Sequence, residues 1–148
     1  MPIAERTASV VWDGSLARGS GTLESGSGAL TGLPVTWAAR TETPGGKTSP
    51  EELIAGAHAT CFTMALALVL GENGTPPERL ATEARCVLDE VEGAPRITRV
   101  DLAVRGRVDG LDESSFRDAV DRASALCPVS NALRGNVDVT VEATLDAA

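Results

Sequence analysis

The chain has 148 residues, of which 43% are hydrophobic and 23% charged, which suits one globular domain and excludes a largely disordered chain. Its 13 basic and 21 acidic residues give a net charge of −8, so neither nucleic acid nor an anionic membrane surface is expected as a partner. Aromatic residues make up only 3%, which argues against a surface for base stacking.

Three short strands are predicted near the start of the chain. They fall at residues 8–12, 20–24 and 34–40, where apolar and polar side chains alternate or where turn-forming residues bound a short run. The segment 41–48, TETPGGKT, is predicted to be a loop because of its glycine and proline content. Together these strands would form an antiparallel meander.

A long apolar helix is predicted from Pro50 to about Leu70. Ser49 is a good N-cap residue, proline suits the first helical position, and Glu52 would complete a capping box. Gly71 would end the helix. The run is long enough to raise the question of a membrane span, but one histidine, two threonines and many alanines weaken that interpretation. A core or interface helix is therefore predicted.

The rest of the chain is predicted to contain two strands, two helices and a last strand. These are strands at residues 84–89 and 98–105 with a turn at 92–95, a helix capped by Asp112, a short helix from Cys127 to Gly135, and a strand at 137–143. Strands and helices are grouped separately, so an α+β fold with antiparallel sheets and a single domain over residues 1–148 is predicted.

The three cysteines differ in their surroundings. By position alone, Cys61 in the apolar helix is most simply a small buried side chain. His58 lies one helical turn earlier on the same face, where a protonated imidazole would lower the pKa of this thiol. Cys127 is placed at the start of a short helix, where unpaired N–H groups favour a thiolate and cysteine is a poor cap. Cys86 alternates with apolar neighbours in a strand, so packing is predicted for it.

An odd number of cysteines argues against a static disulfide framework. No secretion signal is visible, so the chain is expected in the cytoplasm, where a disulfide is more often transient and catalytic. A single histidine without CxxC or HxxxH spacing makes a zinc site improbable, and no phosphate-binding loop is present. No bound cofactor is expected.

Two segments, TSPEELIAGAHATCFTMALAL and CPVSNAL, closely resemble the OsmC branch of the OsmC/Ohr family. The resemblance extends from the N-terminal WDG and ARGSGT through TWAAR to the last strand. It implies an intertwined homodimer of α+β subunits around long buried helices. It also implies a thiol-dependent peroxidase that acts on organic hydroperoxides and is recycled by an external thiol or dithiol.

The resemblance assigns roles to five residues. Cys61 corresponds to the peroxidatic cysteine, Cys127 to the resolving cysteine, and Glu51 to the glutamate of the active site. The family also uses an arginine, for which two candidates exist: Arg40, at the OsmC-branch position and favoured here, and Arg18, at the Ohr-branch position. Apolar neighbours of the reactive thiol on the same helix, among them Ile54, Phe62 and Leu66, would suit a substrate with an organic tail.

One geometric consequence follows from the helix itself. Glu51 and Cys61 are ten residues apart, which is roughly 15 Å along a helix axis and about 80° around it. A glutamate side chain cannot span that distance, so each active site is expected to draw groups from both chains of a dimer. Two other functions remain open: an inactive OsmC-like protein that binds an apolar ligand, and a cysteine-dependent acyl transferase or hydrolase.

Overall fold

The computed structural model describes residues 1–147, and the predicted α+β architecture is confirmed. Two three-stranded sheets and four helices occur among these residues. The elements are β1 Ala8–Asp13, β2 Ser20–Ser25, β3 Leu33–Val35, α1 Trp37–Thr41, α2 Pro50–Glu72, β4 Arg79–Val91, β5 Ala94–Arg107, α3 Glu113–Leu126, α4 Pro128–Leu133 and β6 Asp138–Leu145. The chain divides into two compact units, Met1–Leu53 and a second that begins at Ile54. The single domain over residues 1–148 stays a prediction.

The first unit contains the antiparallel sheet β1-β2-β3, and its third strand is shorter than predicted. The strand ends at Val35, and the following residues form helix α1 instead. Thr36 explains the change, because its Oγ1 accepts a hydrogen bond from the Ala39 N–H at 3.1 Å and so caps the helix. As a result, Arg40 lies in the last turn of a short helix and not in a strand.

Helix α2 begins where predicted and ends slightly later than expected. Ser49 Oγ accepts the N–H of Glu52 at 3.1 Å, as expected of the N-cap. The predicted capping box does not close, because the Glu52 carboxylate accepts instead from the Thr48 hydroxyl at 2.9 Å. Gly71 stays in the helix, and Gly74 takes the left-handed φ of 78° that follows its end.

The second unit contains the sheet β4-β5-β6, and its strand pairing corrects the prediction of purely antiparallel sheets. Strands β4 and β5 form an antiparallel hairpin whose turn residues, Glu92 and Gly93, both have positive φ. Strand β6 pairs with β5 in parallel. The parallel pairing is possible because helices α3 and α4 carry the chain back across the unit before β6 begins.

The hydrophobic core of the second unit is formed mainly by α2, β5 and α3. Among its fully buried side chains are Phe62 and Leu66 of α2, Val100 of β5 and Phe116 of α3. Each large side chain of this kind stabilises the fold by roughly 1.5–3 kcal/mol through its removal from water. Cys127, at the junction of α3 and α4, belongs to the same core.

Helix α2 is apolar on all sides, but it is only partly covered within one chain. Met64 and Leu68 on this helix keep 68% and 56% of their surface exposed. By length and composition alone the helix could cross a membrane, and 33% of its most apolar 18-residue stretch is buried. The core of one chain therefore leaves part of the helix exposed, and the predicted burial of this helix in a homodimer stays a prediction.

Candidate active site

Arg40 and Glu51 form a two-pronged ion pair in the first unit. The Nε and Nη2 atoms of Arg40 donate to Oε1 and Oε2 of Glu51, each at 2.9 Å. A planar guanidinium matches a carboxylate in this geometry, which makes the contact strong and directional. The glutamate side chain is 9% exposed and the arginine side chain 29%, so the pair is largely shielded from water. The hydrogen bonds to Glu51 raise the pKa of Arg40, so its guanidinium is permanently charged.

The two partners of this ion pair are positioned by helix ends. Arg40 lies in the last turn of α1, and Glu51 lies in the first turn of α2. Negative charge is favourable at the start of a helix and positive charge at its end. Each side chain therefore occupies the helix terminus that suits its charge, and the loop between the helices brings them together.

A small apolar cavity borders Arg40 within the first unit. Its volume is about 290 Å³, and Trp12, Leu23, Trp37 and Leu53 contribute to its walls. The guanidinium carbon of Arg40 lies 5.8 Å from the centroid of the Trp37 ring, within range of a cation–π interaction. The cavity therefore combines mostly apolar walls with one permanent positive charge.

Arg18, the other candidate arginine, lies in the turn between β1 and β2. Its backbone N–H donates to the Ser15 hydroxyl at 3.2 Å, and the residue is exposed. Among residues 1–147 its guanidinium makes no hydrogen bond or ion pair. The structure thus pairs Arg40, and not Arg18, with Glu51. Which arginine serves catalysis stays a prediction.

Cys61 and Cys127 meet in the second unit. Cys61 packs against the part of the core that contains Cys127, the two thiols are close enough to shift each other's pKa, and both are reduced. Cys127 is completely buried, whereas Cys61 is only half-buried. Cys127 is the N-cap of α4 with Pro128 in the first turn, as predicted, and its Sγ accepts the Ser130 N–H at 3.5 Å.

The two thiols differ in how readily each loses its proton. Burial raises the pKa of Cys61, and the adjacent Cys127 raises it further, although the Val129 N–H opposes this. Burial also acts to raise the pKa of Cys127, but hydrogen bonds from Ser130 and Cys61 outweigh it, so the pKa of Cys127 is lowered. Within one chain the negative charge therefore rests more easily on Cys127. A further positive group is needed to make Cys61 the better nucleophile.

His58 contacts a different group from the one predicted. It is fully buried, and its Nε2 lies 2.7 Å from the hydroxyl oxygen of Ser130. Burial lowers the pKa of His58, which favours a neutral imidazole. The expectation that a protonated His58 lowers the pKa of Cys61 is therefore wrong, because burial removes the imidazole ring from water.

Three other residues singled out in the sequence have packing roles. Phe62 and Leu66, expected to favour an organic substrate, are completely buried in the core and cannot line an accessible site. Cys86 is half-buried and packs against the same core, as predicted. In the part of the chain that the structure describes, no group of three or more His, Cys, Asp or Glu side chains could hold a metal ion.

Two residues of the site were not found from the sequence. Trp37 lies three residues before Arg40 on the same short helix, a spacing that brings side chains together once the segment is known to be helical. Ser130 follows Cys127 by three residues, which is the spacing of an N-cap and the N–H that it accepts. That spacing was visible in CPVS and could have identified the serine.

Comparison with known proteins shows which families, proteins and structures this chain is similar to. A family model described as OsmC-like protein matches residues 43–142. Peroxiredoxin OsmC of Escherichia coli (strain K12) is 42% identical over 126 residues, which cover 85% of this chain and 87% of that protein. The organic hydroperoxide resistance protein of Xanthomonas axonopodis pv. citri (strain 306) is 33% identical over 98 residues, 66% of this chain and 67% of that protein. The crystal structure of the organic hydroperoxide resistance protein OhrB of Bacillus subtilis matches with a TM-score of 0.72 and 28% identity, covering 93% of this chain and 98% of that one.

Proposed function

This chain belongs to the OsmC-like protein family, and on that premise we propose that it is a thiol-dependent peroxidase that reduces organic hydroperoxides to alcohols. The observation that carries the proposal is the proximity of two reduced thiols, Cys61 and Cys127, which shift each other's pKa, the first half-buried and the second fully buried. Its relatives include proteins named as a peroxiredoxin and as an organic hydroperoxide resistance protein, which supports a peroxidase role.

The reaction begins with the thiolate of Cys61, the more accessible of the two sulfurs. It attacks the distal oxygen of the hydroperoxide ROOH, the O–O bond breaks, and the alcohol ROH leaves after taking up a proton. Cys61 becomes a sulfenic acid, which condenses with the Cys127 thiol, forms an S–S bond and releases water. The two thiols lie close enough to shift each other's pKa, which favours this second step.

The enzyme then returns to the reduced state with electrons from an external thiol or dithiol. Thiol–disulfide exchange opens the bond between Cys61 and Cys127 and oxidises the reductant to its own disulfide. The proposal requires no bound cofactor, and it places the protein in the cytoplasm, where such reductants are abundant.

We further propose that the protein is a homodimer and that each site uses both chains. Glu51 and Cys61 lie on the continuous helix α2, ten residues apart, or roughly 15 Å along its axis. The pair of Arg40 and Glu51 would then act on Cys61 of the partner subunit and supply the positive charge that lowers the pKa of this thiol. Met64 and Leu68, exposed on α2, would contribute to an apolar contact between the chains.

The apolar cavity beside Arg40 suits the organic part of the substrate. A space of about 290 Å³ lies at the lower end of the range for small-molecule sites. Apolar walls favour an alkyl or aromatic hydroperoxide over hydrogen peroxide, which has no apolar surface to remove from water. The charge of Arg40 at the wall would hold the polar peroxide end near the reacting sulfur.

The test compares the cysteines one at a time. With one equivalent of cumene hydroperoxide, we expect Cys61→Ser to consume no peroxide. We expect Cys127→Ser to consume one equivalent without recycling, because its sulfenic acid finds no second thiol. Cys86→Ser is the control and should turn over like the unmodified chain, since Cys86 packs against the core. Full peroxidase activity in Cys61→Ser would disprove the assignment of the nucleophile.

The same cavity also favours a second candidate function, the binding of an apolar ligand without chemistry. The two functions differ in their thiol count. One equivalent of hydroperoxide should remove the free thiols of both Cys61 and Cys127 if the protein is an enzyme. An unchanged thiol count would favour the binding protein.

A further inference from the structure

Ser130 links Cys127 to His58 through a buried chain of hydrogen bonds that the peroxidase steps above do not use. The Ser130 N–H donates to the Cys127 sulfur at 3.5 Å, and the Ser130 hydroxyl oxygen lies 2.7 Å from Nε2 of His58. Cys127 and His58 are both completely buried, and Ser130 keeps only 5% of its surface exposed. A buried polar network of this kind is costly unless its donors and acceptors are matched, so its arrangement is informative.

The direction of these bonds follows from the unpaired nitrogen of His58. Among the described residues, Nδ1 of His58 has no hydrogen-bond partner. A buried N–H left unpaired is rarer and more costly than an unpaired acceptor, so the proton of the neutral ring is placed on Nε2. Nε2 then donates to the Ser130 oxygen, and the Ser130 hydroxyl proton is left to point at the Cys127 sulfur. The chain of donors thus runs from His58 through Ser130 to Cys127.

We propose that Ser130, oriented by His58, stabilises the thiolate of Cys127 as it leaves during reduction of the Cys61–Cys127 disulfide. The inference rests on the proposed function, because it gives Ser130 and His58 a role in the reduction of the disulfide. Ser130 donates its backbone N–H to the reacting sulfur, and the Ser130 side chain also lowers the pKa of this thiol. His58 acts through Ser130 and is a positioning residue.

Stabilisation of the Cys127 thiolate by Ser130 also determines which sulfur the reductant attacks. The thiolate RS⁻ forms an S–S bond with Cys61, the bond from Cys61 to Cys127 breaks, and its electron pair stays on Cys127. A second RS⁻ then attacks the mixed disulfide, releases RSSR and leaves Cys61 as a thiolate. Exposure favours the same direction, since Cys61 is half-buried and Cys127 is not accessible. A thiol of lower pKa leaves faster in such exchange.

The first experiment measures the pKa of the Cys127 thiol in a background that carries Cys61→Ser and Cys86→Ser, from the rise in ultraviolet absorbance as the thiolate forms. Among the described residues, Cys61 is the one ionisable group that shifts the pKa of Cys127, and no carboxylate or cation of α3 or β6 contributes. Adding Ser130→Ala should raise this pKa by about one unit, the size of one lost hydrogen bond to the charged form. Ser130→Thr, which keeps a hydroxyl, should restore the lower value.

The second experiment measures the rate at which a monothiol reduces the disulfide form. The protein is oxidised with diamide, so the result does not depend on peroxidase activity. We expect Ser130→Ala and His58→Met to slow reduction about threefold or more. Ser130→Thr and His58→Gln, which keep a hydroxyl and a side-chain N–H, should stay close to the unmodified rate. Far-ultraviolet circular dichroism checks that each variant is folded. If the His58 variants do not fold, Ser130→Ala still tests the role of Ser130.

The site of attack is measured by trapping the mixed disulfide and digesting with trypsin. Cys61, Cys86 and Cys127 fall in separate peptides, residues 48–79, 86–96 and 123–134. We expect the monothiol on the Cys61 peptide, and an adduct on the Cys127 peptide would overturn the inference. So would a pKa and a reduction rate that Ser130→Ala leaves unchanged. If His58→Gln behaves like His58→Met, the role of His58 is overturned and that of Ser130 stands.

Discussion

The substitution Glu51→Gln tests whether the ion pair with Arg40 holds the site together. Both carboxylate oxygens accept from Arg40 at 2.9 Å. A glutamine keeps the size of the side chain, but its NH₂ group replaces one acceptor and faces an arginine donor. One charge-assisted hydrogen bond is lost. The NH₂ group of the glutamine then faces an N–H group of Arg40, so two donors point at each other. Such a bond contributes roughly 1.5–3 kcal/mol, and partial exposure of Arg40 moderates the loss, so we expect a destabilisation of about 2 kcal/mol.

The matched control is Glu52→Gln, which makes the same chemical change one position along the helix. Glu52 is exposed and accepts a single hydrogen bond from the Thr48 hydroxyl, a bond that the amide oxygen of glutamine can also accept. We expect its effect on stability to be within about 0.5 kcal/mol. Urea unfolding at one fixed protein concentration measures both variants, since the stability of the proposed dimer would depend on concentration.

Activity should separate the same two variants more sharply. If the pair positions Arg40 beside the reactive thiol, Glu51→Gln should slow the oxidation of Cys61 by hydroperoxide about tenfold or more, because Arg40 is no longer held in one geometry. Glu52→Gln should oxidise at the unmodified rate. Equal unfolding midpoints and equal oxidation rates in the two variants would refute the role of the ion pair.

Two more predictions concern the dimer and the acid limit of stability. Mixing refolded Cys61→Ser and Glu51→Gln chains should give more peroxidase activity than the average of the two variants measured separately, because one site of the mixed dimer then has both native groups. No gain on mixing would mean that each site lies within one chain. The Ser115 N–H, donated to Asp112 at 2.7 Å, lowers the pKa of this N-cap carboxyl. Its stabilising effect is therefore present above the unfolded-state pKa of about 3.9 and is lost as the pH falls through the lower folded value. The difference in thermal midpoint between the unmodified chain and Asp112→Ala should shrink as the pH falls below 4, and a pH-independent difference would contradict this.

Local patterns in the sequence predicted most of the helices and strands, because each pattern favours one type of secondary structure. The proline and serine that begin α2 and the aspartate that caps α3 are local signals, and both helices begin where predicted. Residues 37–40 were wrongly predicted as strand because the helix cap supplied by Thr36 was not recognised. The parallel pairing of β6 was missed because strand direction depends on how intervening helices cross the unit, which no local pattern encodes.

Parts of the candidate site could be predicted, and the parts that could not involve contacts between distant segments. The pairing of Arg40 with Glu51 spans eleven residues and was implied by family resemblance alone. The contact of His58 with Ser130 spans 72 residues, and it redirects a histidine that helix spacing had assigned to Cys61. Spacing shows which residues share a helix face, but it does not show which element packs against that face.

The opposite preferences of the two thiols fit a cycle whose halves have opposite needs. Under the proposed function, oxidation requires the thiolate on Cys61, whereas reduction of the disulfide proceeds best when Cys127 carries the charge as it leaves. The hydrogen bonds within one chain favour Cys127, so under the proposed function the cation for the first half comes from Arg40. The effects of the Arg40–Glu51 pair and of Ser130 can then be separated. Glu51→Gln should slow oxidation and leave reduction by a monothiol unchanged, whereas Ser130→Ala should slow reduction and leave oxidation unchanged. Variants that slowed both halves equally would mean that the two groups serve one common structural role.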